Sequence, residues 1–136
     1  MSERSRRDET NLDAAKKIAK NLIAHRIWNG LTQTQIAEII GVSFQQYQKM
    51  EKCINRVYAE DLHVICAQFK WDIAMMHSDP EAVLMEWCDR GFPNAKIVPP
   101  LAINIKKMWN KAEISADKYY KRRTEKLYNV MTNMEE

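Results

Sequence analysis

Gly30-Leu31-Thr32-Gln33-Thr34-Gln35-Ile36-Ala37-Glu38-Ile39-Ile40-Gly41-Val42-Ser43-Phe44-Gln45-Gln46-Tyr47-Gln48-Lys49-Met50-Glu51 reads as two short helices separated by a brief turn. Thr32 and Gln35 are spaced as a capping box. The hydroxyl accepts from a first-turn N–H, and the glutamine side chain reaches back to the threonine N–H. Ile36, Ala37 and Ile40 fall on one face. Gly41 ends the segment, because glycine takes the left-handed conformation of a helix C-terminus without steric cost. After Val42 the device repeats as Ser43-x-x-Gln46, opening a helix over 44–52. Helices joined only by Gly41-Val42-Ser43 lack the chain to lie antiparallel. They must cross steeply, as in a helix-turn-helix.

Upstream, Leu12, Ala15, Ile18, Ala19, Leu22, Ile23 and Ile27 recur at helical steps with one buried face, and Gly30 marks the end. Residues 1–11 are polar without apolar period and read as a flexible arm. Downstream of a polar bend at Asn55-Arg56, Leu62, Ile65, Cys66 and Phe69 form another inner stripe. Asp72 is placed to cap a last short helix bearing Ile73, Met75 and Met76. Residues 80–89 read as a further helix, terminated by Gly91-Phe92-Pro93, and Pro99-Pro100 ends the following loop. Then Leu101, Ile105, Met108, Ala112, Ala116, Tyr119, Leu127, Met131 and Met134 make a stripe. It predicts one long helix, or two with a break near Ile114-Ser115. The fold class is all-α: a five-helix domain over 12–78, then a helical extension over 79–136.

Three glycines and four prolines in 136 residues leave few helix breakers, and 46% hydrophobic residues suffice for a core. No apolar run approaches the ~18 residues of a membrane span. Met1-Ser2-Glu3-Arg4-Ser5-Arg6-Arg7-Asp8 lacks the apolar segment of a signal peptide, so a cytoplasmic protein without membrane contact is expected. Cys53, Cys66 and Cys88, odd in number and widely spaced, make no disulfide framework. With His25, His63 and His77 they offer no zinc-ligand spacing. Structural free thiols are expected, with no metal and no cofactor. No Ser-His-Asp order or glycine-rich phosphate loop occurs, so the chain does not read as an enzyme.

The net charge of +3 is uneven. Residues 12–78 hold eight Lys/Arg against six Asp/Glu, and residues 96–136 hold nine against five. Between them Arg90 alone faces Asp79, Glu81, Glu86 and Asp89. Two mildly basic halves around an acidic connector permit nucleic-acid binding without requiring it.

The ordered set Gly30-Leu31-Thr32-Gln33, Ala37, Gly41-Val42-Ser43 and Glu51, continued through Leu62, Ile65 and Cys66, resembles the phage-repressor (XRE, or Cro-like) helix-turn-helix family. The resemblance covers about half the chain. It implies a transcription regulator, a repressor in kind, that binds double-stranded DNA with the helix over 44–52 in the major groove. Independent physics agrees: a helix fits that groove, and its first turns reach base edges. Gln45 and Gln48 can pair bidentately with adenine, Lys49 can donate to guanine, and Phe44 can touch a thymine methyl. Acidic residues are absent from Ser43 to Met50, as an approach to phosphate requires.

The resemblance makes Gln33 a phosphate clamp that also braces the recognition helix, a role the dipole at a helix N-terminus favours. Thr32, Ser43, Lys52, Asn55 and Arg56 are further candidates for phosphate, setting register rather than sequence. Arg26 and Glu51 are implied to form a structural ion pair between the first and third helices. One departure stands out. The family often has glycine two residues after the third-helix glutamate, and here Cys53 takes that place.

The stripe over 101–134, with Trp109, Tyr119, Tyr120 and Tyr128 as aromatic anchors, suits a homodimer reading two half-sites. The alternative is that this helix folds back into the monomer's own core. Lys118, Lys121, Arg122, Arg123 and Lys126 form a basic cluster that either contacts phosphate or solvates the helix. A rival functional reading is an antitoxin or phage interaction protein whose C-terminal helices mask a protein partner, since fold does not fix function.

Overall fold

The computed structural model describes residues 3–90 and 98–135. Its elements are α1 (Glu3–Trp28), α2 (Gln33–Ile40), α3 (Phe44–Glu51), α4 (Ala59–Phe69), a 3-10 turn (Ile73–His77), α5 (Pro80–Arg90) and α6 (Val98–Glu135). No strand occurs among the described residues. Both expected capping boxes form. Thr32 Oγ1 accepts from Gln35 N–H at 3.1 Å, and Gln35 Oε1 accepts from Thr32 N–H at 2.8 Å. Ser43 and Gln46 do the same at 3.1 and 3.0 Å. Asp72 caps the 3-10 turn through the Ala74 N–H at 3.0 Å, so the expected fifth helix is this tighter turn.

Four helices close with the same device. A residue in the left-handed conformation follows the helix, and the next N–H reaches back to a carbonyl of its last turn. The pairs are Gly30 with Leu31→Arg26, Gly41 with Val42→Ala37, Cys53 with Ile54→Lys49 and Lys70 with Trp71→Cys66. Cys53 (φ 58°) and Lys70 (φ 56°) adopt a conformation costing an L-residue roughly 1–2 kcal/mol. Cysteine thus closes α3 as glycine would. The helix expected over 44–52 ends at Glu51, with Lys52 as its cap.

Two apolar clusters flank α1. In one, Leu22 meets Ile36, Ala37, Tyr47, Met50, Leu62, Ile65 and Met76. In the other, Ile23, Ala24 and Ile27 meet Leu84, Ile105 and Trp109. From Asn21 to Ile27 every residue of α1 is buried, so the single buried face expected for this helix is corrected to burial all round. Polar residues hide this, because most of their hydrogen-bonding groups find partners inside the protein, the buried Asn21 Oδ1 having none among the described residues. Asn21 Nδ2 donates to the Met76 and Ser78 carbonyls at 3.0 and 2.9 Å. His25 Nδ1 donates to the Asn21 carbonyl at 2.8 Å, its ring lying 5.1 Å from Trp71 and 4.7 Å from Trp87.

Further expectations are revised. α1 begins at Glu3, so residues 3–11 continue a helix rather than forming a flexible arm. Of the two readings of the C-terminal stripe, the single long helix is the one found, α6 running unbroken through Ile114-Ser115. Its stripe from Leu101 to Ala116 folds back onto α1 and α5 in the monomer and is not free to pair with a second copy. Trp109 Nε1 donates to the Lys20 carbonyl at 2.8 Å, and Lys20 pairs with Glu113 at 3.4 Å. From Lys121 to Met134 the helix is exposed on every side. Gly91-Phe92-Pro93 lies outside the described residues.

Burial lowers the pKa of His25 below its ordinary 6.5, against the opposing pull of the Asn21 carbonyl. The unfolded chain therefore binds this proton more readily than the folded one. Stability is complete above about pH 6.5 and falls as pH drops from there through the lower folded value. Thermal melts taken from about pH 8 to about pH 5 should show this decline, and His25→Phe should flatten it. An equal decline in the variant would refute the assignment.

Candidate nucleic-acid interface

α3 is oriented by what it buries. Tyr47, Met50 and Glu51 point inward, so the opposite face presents Gln45 and Lys49 to solvent, with Gln48 half-buried beside them. Phe44, at the first position of α3, is 40% exposed. The four expected base-reading residues thus lie on one accessible surface at the start and middle of the helix.

Behind them runs a buried polar chain. Arg26 Nε donates to Glu51 Oε2 at 2.6 Å, and Nη2 donates to Glu51 Oε1 at 3.0 Å. Arg26 Nη1 reaches the Leu31 carbonyl at 3.2 Å, fastening the turn before α2. Glu51 Oε1 also accepts from Gln33 Nε2 at 2.9 Å, and Gln33 Oε1 accepts from Gln48 Nε2 at 3.4 Å. The series Arg26, Glu51, Gln33, Gln48 therefore links α1, α3 and α2 and ends at the exposed face of α3. Gln33 lies where bracing was expected of it. Gln48 keeps its carbonyl oxygen and one N–H, the pair a bidentate contact with adenine uses. The Tyr47 hydroxyl sits buried beside the ion pair without a hydrogen-bond partner among the described residues. Burial first, then the Glu51 carboxylate, hold its pKa well above the ordinary 10.0.

The expected phosphate ligands are less uniform. Thr32 and Ser43 are exposed, but their hydroxyls are engaged as caps, leaving lone pairs and backbone amides at the starts of α2 and α3. Lys52 is half-buried and Asn55 exposed. Arg56 is exposed and donates to the Asn11 carbonyl at 3.4 Å, placing the α3–α4 loop against α1. One residue was given another role by its sequence pattern: the Tyr120 hydroxyl of α6 donates to the Cys53 carbonyl at 2.8 Å, holding the end of α3. The stripe pattern marks Tyr120 as apolar and aromatic but carries no signal for a hydroxyl partner 67 residues away.

The chain is similar to proteins named as HTH-type transcriptional regulators. It is 37% identical over 78 residues to the uncharacterized HTH-type transcriptional regulator y4wC of Sinorhizobium fredii, covering 57% of this chain and 53% of that protein. It is 31% identical over 92 residues to the regulator y4aM of the same organism, covering 65% and 61%. A third, RC0668 of Rickettsia conorii, is 48% identical over 40 residues, 29% of this chain and 32% of its own length. The chain thus spans little more than half the length of the first two. No family model matches the chain, and no solved structure matches it. The relatives' names support a helix-turn-helix regulator family. Among the described residues no helix is long and apolar enough to cross a membrane.

Removing one partner of the buried pair strands the other charge. Glu51→Ala should cost about 3–5 kcal/mol in urea unfolding, and Arg26→Met combined with Glu51→Leu should cost markedly less than the two single changes summed. Additive losses would mean that the two charges do not act as a unit.

Proposed function

We propose that this chain is a sequence-specific double-stranded DNA-binding transcription regulator of the phage-repressor (XRE, Cro-like) type, acting as a repressor by occupying its site. The observation that carries the reading is the α3 surface. Gln45, Gln48 and Lys49 stand outward together, while the Arg26–Glu51–Gln33 network fixes the helix behind them. Donors and acceptors held at set positions on a helix are what major-groove readout requires. Gln33, Thr32 and Ser43, at the starts of α2 and α3, with Lys52, Asn55 and Arg56, set the register by meeting phosphates. The regulatory names of the relatives agree with this reading.

Two copies bind half-sites about one helical turn apart. The contact between them uses the exposed end of α6, where Leu127, Val130, Met131 and Met134 remain uncovered. The same uncovered residues are what favours a second reading, in which α6 masks a partner protein. A homodimer in the absence of any other protein favours the first.

Selection of sites from a random duplex pool by the purified chain decides between them. A palindromic motif is expected, and failure to enrich any motif would overturn the operator-reading proposal. On the recovered site, Gln45→Ala or Gln48→Ala should relax preference at one position by ~1–3 kcal/mol, whereas Arg56→Ala should weaken all sequences alike. Unaltered base preference in both glutamine variants would remove α3 from the role of reader.

A further inference from the structure

The basic cluster of α6 is not uniform, because only part of it is brought to the DNA-reading end of the molecule. The bond from the Tyr120 hydroxyl to the Cys53 carbonyl seats α6 against the turn that closes α3. Arg123 follows Tyr120 by nearly one helical turn, on the same side of α6, whereas Lys118 lies on the opposite side. The same turn adjoins Lys52, the cap of α3, and the loop carrying Arg56, which in turn touches α1 at Asn11. Lys16 of α1 lines a small pocket shared with Lys52, Cys53 and Ala116.

Four cations from α1, the α3 cap, the following loop and α6 therefore converge on one corner. None of the four takes part in a salt bridge among the described residues. Their mutual nearness also registers in the groups between them. Burial pushes up the pKa of the Tyr120 hydroxyl, and Arg56 and Arg123 act against that rise. Burial likewise pushes up the Cys53 thiol, opposed by Arg56 and Lys16. Three carbonyls at the end of α3 and its closing turn already have other donors. The Lys49 carbonyl accepts from Ile54 and Asn55, that of Met50 from Cys53, and that of Cys53 from Tyr120. Glu51 and Glu113 line the same pocket, but they are paired with Arg26 and Lys20, so the four cations repel one another and the arrangement favours an anion from outside.

We propose that Lys16, Lys52, Arg56 and Arg123 form a phosphate-binding site for duplex DNA flanking the bases read by α3, assembled by the hydrogen bond from Tyr120 to the Cys53 carbonyl. It rests on the DNA-binding reading and extends it: α6 belongs to the nucleic-acid interface. The site lies beyond the last turn of α3, where the backbone bordering the major groove passes a helix seated in it. It reads no bases and adds affinity to any sequence long enough to reach it.

The test is a fluorescence-anisotropy titration of the full chain with labelled random-sequence duplexes, one about a single helical turn long and one several turns long, across a range of salt. On the long duplex, Arg123→Ala and Lys16→Ala should each reduce the slope of log affinity against log salt by about 0.9, with Lys118→Ala leaving it unchanged. On the short duplex all three should match the unaltered chain. Thermal melts verify that each variant is folded. If Arg123→Ala keeps the full slope, or if Lys118→Ala flattens it equally, the site is overturned while DNA binding itself stands. Absence of salt-dependent binding by the unaltered chain to either duplex would overturn both readings.

Discussion

The side chains of Arg26 and Glu51 are both largely removed from water, at 9% and 2% exposure, and neither charge is tolerable there alone. Their bidentate contact satisfies the geometric demand that such burial makes. A pair of this kind contributes less to net stability than its Coulomb energy suggests, because desolvation offsets most of the attraction. Its larger effect is on position. Two parallel hydrogen bonds fix both the distance and the rotation of α3 against α1, where apolar contacts alone tolerate sliding. Gln33 takes a remaining lone pair of Glu51 and so adds α2 to the same fixed frame.

That frame rests on α1, which is shared between two clusters. The helix-turn-helix cluster covers the Leu22 side, and α5 with α6 covers the side of Ile23 and Ile27. A helix buried all round must satisfy its polar groups within the protein. Asn21 spends both amide hydrogens on carbonyls near the 3-10 turn, and His25 fills the space between two tryptophans. α6 is therefore no appendage. It supplies Ile105 and Trp109 to the core, and Tyr120 to the end of α3.

What was legible in the sequence was local. Capping boxes, glycine stops and helical apolar spacing act over four or five residues, and Thr32, Gly41 and Ser43 could be read directly. The link from Arg26 to Glu51 spans 25 residues and was legible only through family resemblance. The partner of α6 was not legible, because an amphipathic stripe looks the same whether it meets its own core or another chain. The double burial of α1 was concealed by Asn21, His25 and Arg26, whose polarity suggests a solvent face until their partners are known. Cys53 was recognised as standing where glycine is usual, but the closure of α3 around it depended on backbone bonds that a side-chain pattern does not encode.

The Trp109 hydrogen bond to Lys20 joins positions 89 residues apart, which gives the second cluster a dimension in time. At synthesis rates of about 5–20 residues per second, α1 emerges roughly 4–18 seconds before the part of α6 that covers it. α2, α3 and α4 arrive much sooner and can close over Leu22 while translation continues. Ile23, Ala24 and Ile27 must wait. During that interval the nascent chain carries a nearly formed helix-turn-helix above an apolar strip still open to water.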